Sequence, residues 1–211
     1  MKTPALFIDI DRVLIRDMES SENIESVRLI RSAGKALSEI NSLSIPVISI
    51  LKLPKEYYSN NIINKSVLEK EFKRKLIRNS AKTDALYFCD ECMNTKKNVK
   101  FGKYKPDASV FLQAADRFNI NLKKCWLVTD SAYSILTAKS LELFGEILIR
   151  TGTGIECEKH FADEKIDLKS LNVEVFSSFN IARSVLKKSL KNLLNDKSES
   201  IESQKQEVFQ A

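Results

Sequence analysis

Short apolar runs alternate along the chain with longer segments whose apolar residues recur at helical spacing. Residues 5–10 (Ala-Leu-Phe-Ile-Asp-Ile) form a continuous apolar run reaching an acid, as a buried parallel strand does. Runs of the same kind predict strands at 46–51, 85–89, 125–130 (again ending in an acid), 146–150 and 173–176. Between them, Val27, Ile30, Ala33, Leu37 and Ile40 predict a helix within 25–43. Val67, Leu68, Phe72, Leu76 and Ile77 predict a second over 67–79, with Ser66 as its cap. Val110, Leu112, Ala114, Ala115 and Phe118 predict a third after Pro106, and residues 132–143 form a fourth. A last amphipathic helix spans 181–194, where Val185, Leu186, Leu190, Leu193 and Leu194 are expected to pack on the domain. Strands alternating with helices imply an α/β fold, a Rossmann-like parallel sheet with helices on both faces. No internal repeat or Gly/Pro/Ser-rich linker marks a second domain. One domain over 1–195 is therefore expected, followed by a polar tail, 196–211, that is short of core residues and expected to be disordered.

Composition narrows the class. A chain of 211 residues, 43% hydrophobic and 29% charged, suits one soluble domain with a sizeable core. The formal charge of +6 favours phosphorylated ligands, but Lys and Asn are spread along the whole chain. No dense basic cluster with interleaved aromatics occurs, so nucleic acid is not expected as a partner. No apolar run approaches the roughly 20 residues that span a bilayer, and no signal-peptide pattern opens the chain. The four cysteines, Cys89, Cys92, Cys125 and Cys157, are too few and scattered for a disulfide scaffold. A cytoplasmic protein with reduced thiols is expected, as a monomer or weak homo-oligomer with no membrane contact.

In open parallel sheets, ligands bind beyond the carboxyl ends of the strands. Four polar features sit at or just after such ends: Asp9 with Asp11, Ser49, Lys105 and Asp130. One carboxylate of the Asp9/Asp11 pair can attack phosphorus, and the other can protonate the leaving oxygen and then activate water. Carboxylates this close need a cation. Asp130 adds a hard oxygen donor of the kind magnesium prefers. Lys105 can hold the nucleophile and offset phosphate charge, and Ser49 can donate to a phosphoryl oxygen.

The segment hhhDxDxVLh at 6–15 resembles the first motif of the haloacid dehalogenase superfamily. The resemblance is strongest to the branch of heptose bisphosphate and histidinol-phosphate phosphatases. It is carried further by Ala85–Cys89, by Lys105-Pro106-Asp107 through Leu112-Gln113-Ala114-Ala115, by Trp126–Ser131 and by Ile149–Gly152, and it runs over roughly 5–188. It implies a haloacid-dehalogenase-like fold with little or no cap domain, and a magnesium-dependent phosphatase acting on a small phosphorylated metabolite such as a sugar phosphate. It implies Asp9 as nucleophile, Asp11 as acid/base, Ser49 and Lys105 as phosphate contacts, and Asp9, Asp11 and Asp130 around magnesium.

Several positions depart from the family pattern. The usual glycine after the second acid is Arg12, and the Thr-Asn-Gln of the second motif is Ser49-Ile50-Leu51, which turns two polar substrate contacts apolar. Thr129 stands for the glycine before Asp130, Ser134 for an acid that supports the metal, and Tyr104 for an arginine. The zinc loop of the branch survives only as Cys89-Asp90-Glu91-Cys92, half of a tetrahedral set, so zinc is not expected. His160, the sole histidine, reads as a surface residue, and Cys125 and Cys157 as packing or surface thiols. These losses define the alternative: a catalytically impaired homologue that binds a phosphorylated ligand or a protein. An Arg12 guanidinium on the acidic cluster would favour it, because it could neutralise those carboxylates itself.

Overall fold

The computed structural model describes residues 2–16, 27–53, 64–90 and 107–209, with residues 196–209 as backbone only. Six strands, β1 (Leu6–Asp9), β2 (Val47–Leu53), β3 (Ala85–Asp90), β4 (Trp126–Thr129), β5 (Gly145–Ile149) and β6 (Val173–Phe176), form one sheet in the order β3-β2-β1-β4-β5-β6. Every pairing is parallel. The helices are α1 (Arg31–Asn41), α2 (Lys65–Ile77), α3 (Ser109–Arg117), α4 (Ala132–Ser140), α5 (Gly154–Asp163) and α6 (Phe179–Phe209).

Strand alternation divides the core. Leu6, Ile8, Val47, Leu51, Trp126 and Val128 point to a face covered by α1, α2 and α6. Phe7, Ile48, Ile50 and Leu127 point the other way, against α3 and α4, and α5 closes that side over β5 and β6. Both faces are apolar because both are covered, which is why the strands read as unbroken apolar runs. The order of the sheet reverses direction at β1, whose neighbours are β2 and β4. The crevice beyond the carboxyl ends of β1 and β4 is thus a topological switch point, the usual ligand site of such sheets.

The predicted α/β sheet is the observed one, with local corrections. The first helix begins at Arg31 rather than near 25, because Leu29 bridges Ile15 and Ile30 N–H donates to Leu14 O at 2.8 Å. Val27 is buried there in extended chain, so its place in the helical spacing was fortuitous. Asn64, not Ser66, caps α2, its side chain accepting from the backbone of Ser66 and Val67. The fourth helix stops at Ser140, three residues short of the expected end. In α6, Leu186, Leu190 and Leu193 are buried and Leu194 packs against the core, whereas Val185 faces outward. The helix continues as backbone to Phe209, so the boundary expected at 195 is not marked by a break in the helix.

Candidate active site

β1 delivers Asp9 to the crevice, its backbone in register with Ile50 of β2. The carboxylate is 3% exposed. Its Oδ2 accepts from both neighbouring strands and one helix: the ammonium of Lys52 on β2, the hydroxyl of Thr129 at the end of β4, and the hydroxyl of Ser134 on α4 at 3.3 Å. Oδ1 is buried and has no hydrogen-bond partner among the described residues. One oxygen of Asp9 is therefore fixed and the other is left over. Burial by itself pushes the Lys52 pKa down, but the charge of Asp9 outweighs it, helped by Cys89 and Asp130, and Lys52 is held above its ordinary value.

Asp130, at the end of β4, is also 3% exposed. Its Oδ2 accepts from Arg12 Nε at 3.0 Å and from the backbone N–H and hydroxyl of Thr153, both at 3.1 Å. Arg12 Nε also lies 3.5 Å from Asp11 Oδ2. Arg12 sits in the turn after β1 with φ 60, a left-handed conformation that glycine adopts without penalty and that costs an ordinary side chain on the order of 1 kcal/mol. The Thr151 hydroxyl donates to its carbonyl. Gly152, at φ +53, lies so close that a Cβ there would strike the Arg12 side chain and Asp130 Oδ2.

Asp9, Asp11 and Asp130 therefore gather at one edge, as the sequence predicts. Ser49 is one register position behind Asp9, opposite Ile8, and is the third of seven residues in β2; its hydroxyl is fully buried without a hydrogen-bond partner among the described residues. The polar group of β2 that reaches Asp9 is Lys52, which the sequence reading missed. The available signal was a lysine two residues beyond Ile50, on the same face of a strand otherwise apolar throughout that face. Lys105 lies outside the described residues, as do Cys92 and Tyr104. Of the two apolar replacements, Ile50 lines a pocket beside Asp9 together with Lys52, Val110, Phe111, Tyr133 and Ser134. Leu51 points away into the α1/α6 core, so it is no substrate contact. Thr129 and Ser134, read as losses, are instead donors to Asp9. Cys125 and Cys157 are buried packing thiols, both pushed up to about 12 by burial. His160 is half-buried rather than a surface residue.

No family model matches the chain. It is 25% identical over 179 residues to the D-glycero-β-D-manno-heptose-1,7-bisphosphate 7-phosphatase of Haemophilus ducreyi, covering 80% of this chain and 93% of the relative. It is 27% identical over 165 residues to the D-glycero-D-manno-heptose-1,7-bisphosphate 7-phosphatase of Thermosynechococcus vestitus, covering 73% and 82%. The fold superimposes, with a TM-score of 0.66 and 16% identity, on D,D-heptose 1,7-bisphosphate phosphatase from B. bronchiseptica complexed with magnesium and phosphate, over 89% of this chain and 99% of that one. These likenesses support a heptose-bisphosphate-phosphatase-like protein of the haloacid dehalogenase superfamily. The order of its sheet agrees with the fold that the resemblance implies.

The donor set fits magnesium in kind: Asp9, Asp11 and Asp130 all carry hard oxygen donors. In its present arrangement, however, no three acidic, Cys or His side chains among the described residues converge closely enough to hold an ion. The Arg12 guanidinium bridges two of the three carboxylates instead, the arrangement that by itself favours the catalytically impaired homologue. Among the described residues no helix is long and apolar enough to cross a membrane.

Proposed function

We propose that the protein is a phosphatase of small phosphorylated metabolites, magnesium-dependent and working through an aspartyl-phosphate on Asp9, with a sugar phosphate such as a heptose bisphosphate as substrate. The observation that carries this reading is Asp9 itself, with Oδ2 clamped by Lys52, Thr129 and Ser134 and Oδ1 without a partner among the described residues. A carboxylate held at one oxygen presents the other in a fixed direction, which is what an in-line attack on phosphorus requires. The relatives favour hydrolysis over ligand binding alone.

In this reading Asp9 Oδ1 forms the bond to phosphorus as the ester oxygen leaves. Asp11, two residues on, gives that oxygen its proton and then takes one from the water that splits the acyl phosphate. Lys52 and the two hydroxyls hold Asp9 in one orientation for the attack. Ser49, whose buried hydroxyl still has a hydrogen bond to give, and Lys105 keep the phosphate contacts that the resemblance implies. Asp9, Asp11 and Asp130 would hold magnesium, which when bound supplies positive charge against the phosphoryl oxygens. The pocket lined by Ile50, Val110, Phe111 and Tyr133 would receive the leaving group. The same reading puts the enzyme in the cytoplasm as a monomer or weak homo-oligomer, with the Cys125 and Cys157 thiols reduced.

The test is phosphate release from a panel of sugar phosphates, heptose 1,7-bisphosphate included, with and without magnesium. Hydrolysis that needs the metal and disappears in Asp9→Asn is the expected result. Absence of turnover across the panel by protein that binds magnesium would sink the proposal.

A further inference from the structure

We propose that Arg12 is a built-in cation that occupies the Asp11–Asp130 end of the metal site, so that magnesium loads only by displacing its guanidinium. The inference rests on the magnesium reading above and goes beyond it, because no feature of the catalytic scheme needs an arginine at this position.

The geometry is specific. A single Nε stands 3.0 Å from Asp130 Oδ2 and 3.5 Å from Asp11 Oδ2, bridging two of the three carboxylates assigned to the metal. The Arg12 side chain is 23% exposed and that of Asp130 only 4%, so the pair is more strongly coupled than a solvated surface pair. Nor is the placement incidental. The backbone of Arg12 is held in a left-handed conformation, its carbonyl is tied by the Thr151 hydroxyl, and Gly152 leaves room for the side chain that no other residue would leave. Three local features thus converge to keep one guanidinium in place.

Charge explains the consequence. The three carboxylates Asp9, Asp11 and Asp130 already face two cations, Lys52 and Arg12, within the described residues. A divalent ion entering beside Arg12 would meet a like charge at contact distance, which is unfavourable. A hard cation also needs the carboxylate oxygens that Arg12 now covers. Binding is therefore coupled to release of the arginine, and apparent affinity falls by the fraction of molecules in which the guanidinium has left. The site would respond to magnesium over a higher concentration range than one whose acids are uncovered.

Calorimetric titration of magnesium chloride into the full chain tests this without reference to turnover. Arg12→Gln, which keeps the length and removes the charge, is expected to bind magnesium about tenfold or more tightly than wild type. Arg12→Lys is expected to stay near wild type. Arg12→Gly, which relieves the left-handed backbone, carries the same expectation as Arg12→Gln and covers the case in which that variant fails to fold. Melting in EDTA gives a second readout. Wild type is expected to shift little when magnesium is added, whereas Arg12→Gln melts lower in EDTA and recovers with the ion. Equal or weaker magnesium binding by both uncharged variants overturns the role of Arg12 and leaves the metal site standing. No magnesium binding by any of the four proteins overturns both the role of Arg12 and the metal reading on which it rests.

Discussion

Asp9 and Glu146 are both buried carboxylates in the same sheet, each with a lysine ammonium on it, yet they lie at opposite edges. Asp9 ends β1 at the switch-point crevice, where β2, β4 and α4 all supply donors. Glu146 is the second residue of β5, in register with Leu127 and Val173, and its Oε1 finds no donor among the described residues. Burial, only partly offset by Lys139, leaves Glu146 raised to about 7. The difference teaches that a lysine alone does not make a buried carboxylate useful. Convergence of several elements at the carboxyl edge does, and a carboxylate at the amino edge remains a stability liability with a titration near neutrality.

The sharpest way to break the comparison is Asp9→Asn, expected to lower kcat at least about 10³-fold on whichever sugar phosphate is turned over, while the fold survives by circular dichroism. Lys52→Met comes next. Loss of the cation on the nucleophile should reduce kcat about 10²-fold, and the uncompensated Asp9 charge should lower stability by about 3 kcal/mol in urea titrations. If Lys52→Met retains wild-type kcat, Lys52 is as structural as Lys139 and the contrast between the two edges fails.

Glu146 sharpens the other side. Its folded pKa of about 7 lies above its ordinary value of 4.5, so the folded chain keeps a proton that the unfolded chain releases between them. The resulting stabilisation is full below the ordinary value and is lost as pH rises through about 7, amounting to about 3 kcal/mol. Denaturant titrations at several pH values should show this decline in wild type and a flatter profile in Glu146→Gln. The smallest effect belongs to Ser134→Ala. Removing a 3.3 Å donor while Lys52 and Thr129 remain should change kcat by only a few-fold.

Much of the fold was legible because parallel strands buried on both faces announce themselves as apolar runs, and all six were placed to within two residues at each end. Asp9 and Asp130 were legible for a related reason: an acid closing an apolar run has nowhere to go but the edge of the sheet. The start of α1 was not legible, because Val27 and Ile30 keep helical spacing whether or not the chain between them is helical, and a bridge from Ile15 decides that. Lys52 was hidden by its setting in β2, where its importance depends on the strand that happens to lie alongside.

Sequence by itself determined that acids would end β1 and β4, that the sheet would be parallel and covered, and that Arg12 would follow Asp11 where the family carries glycine. Those are properties of local pattern and chemical type. Only the tertiary structure decided which groups share an oxygen: Lys52, Thr129 and Ser134 on Asp9, and Arg12 with Thr153 on Asp130. Partners 23 to 125 residues apart along the chain meet through strand order and register. Local sequence does not encode that distance, because side-chain pairing at short range depends on how the strands are laid side by side.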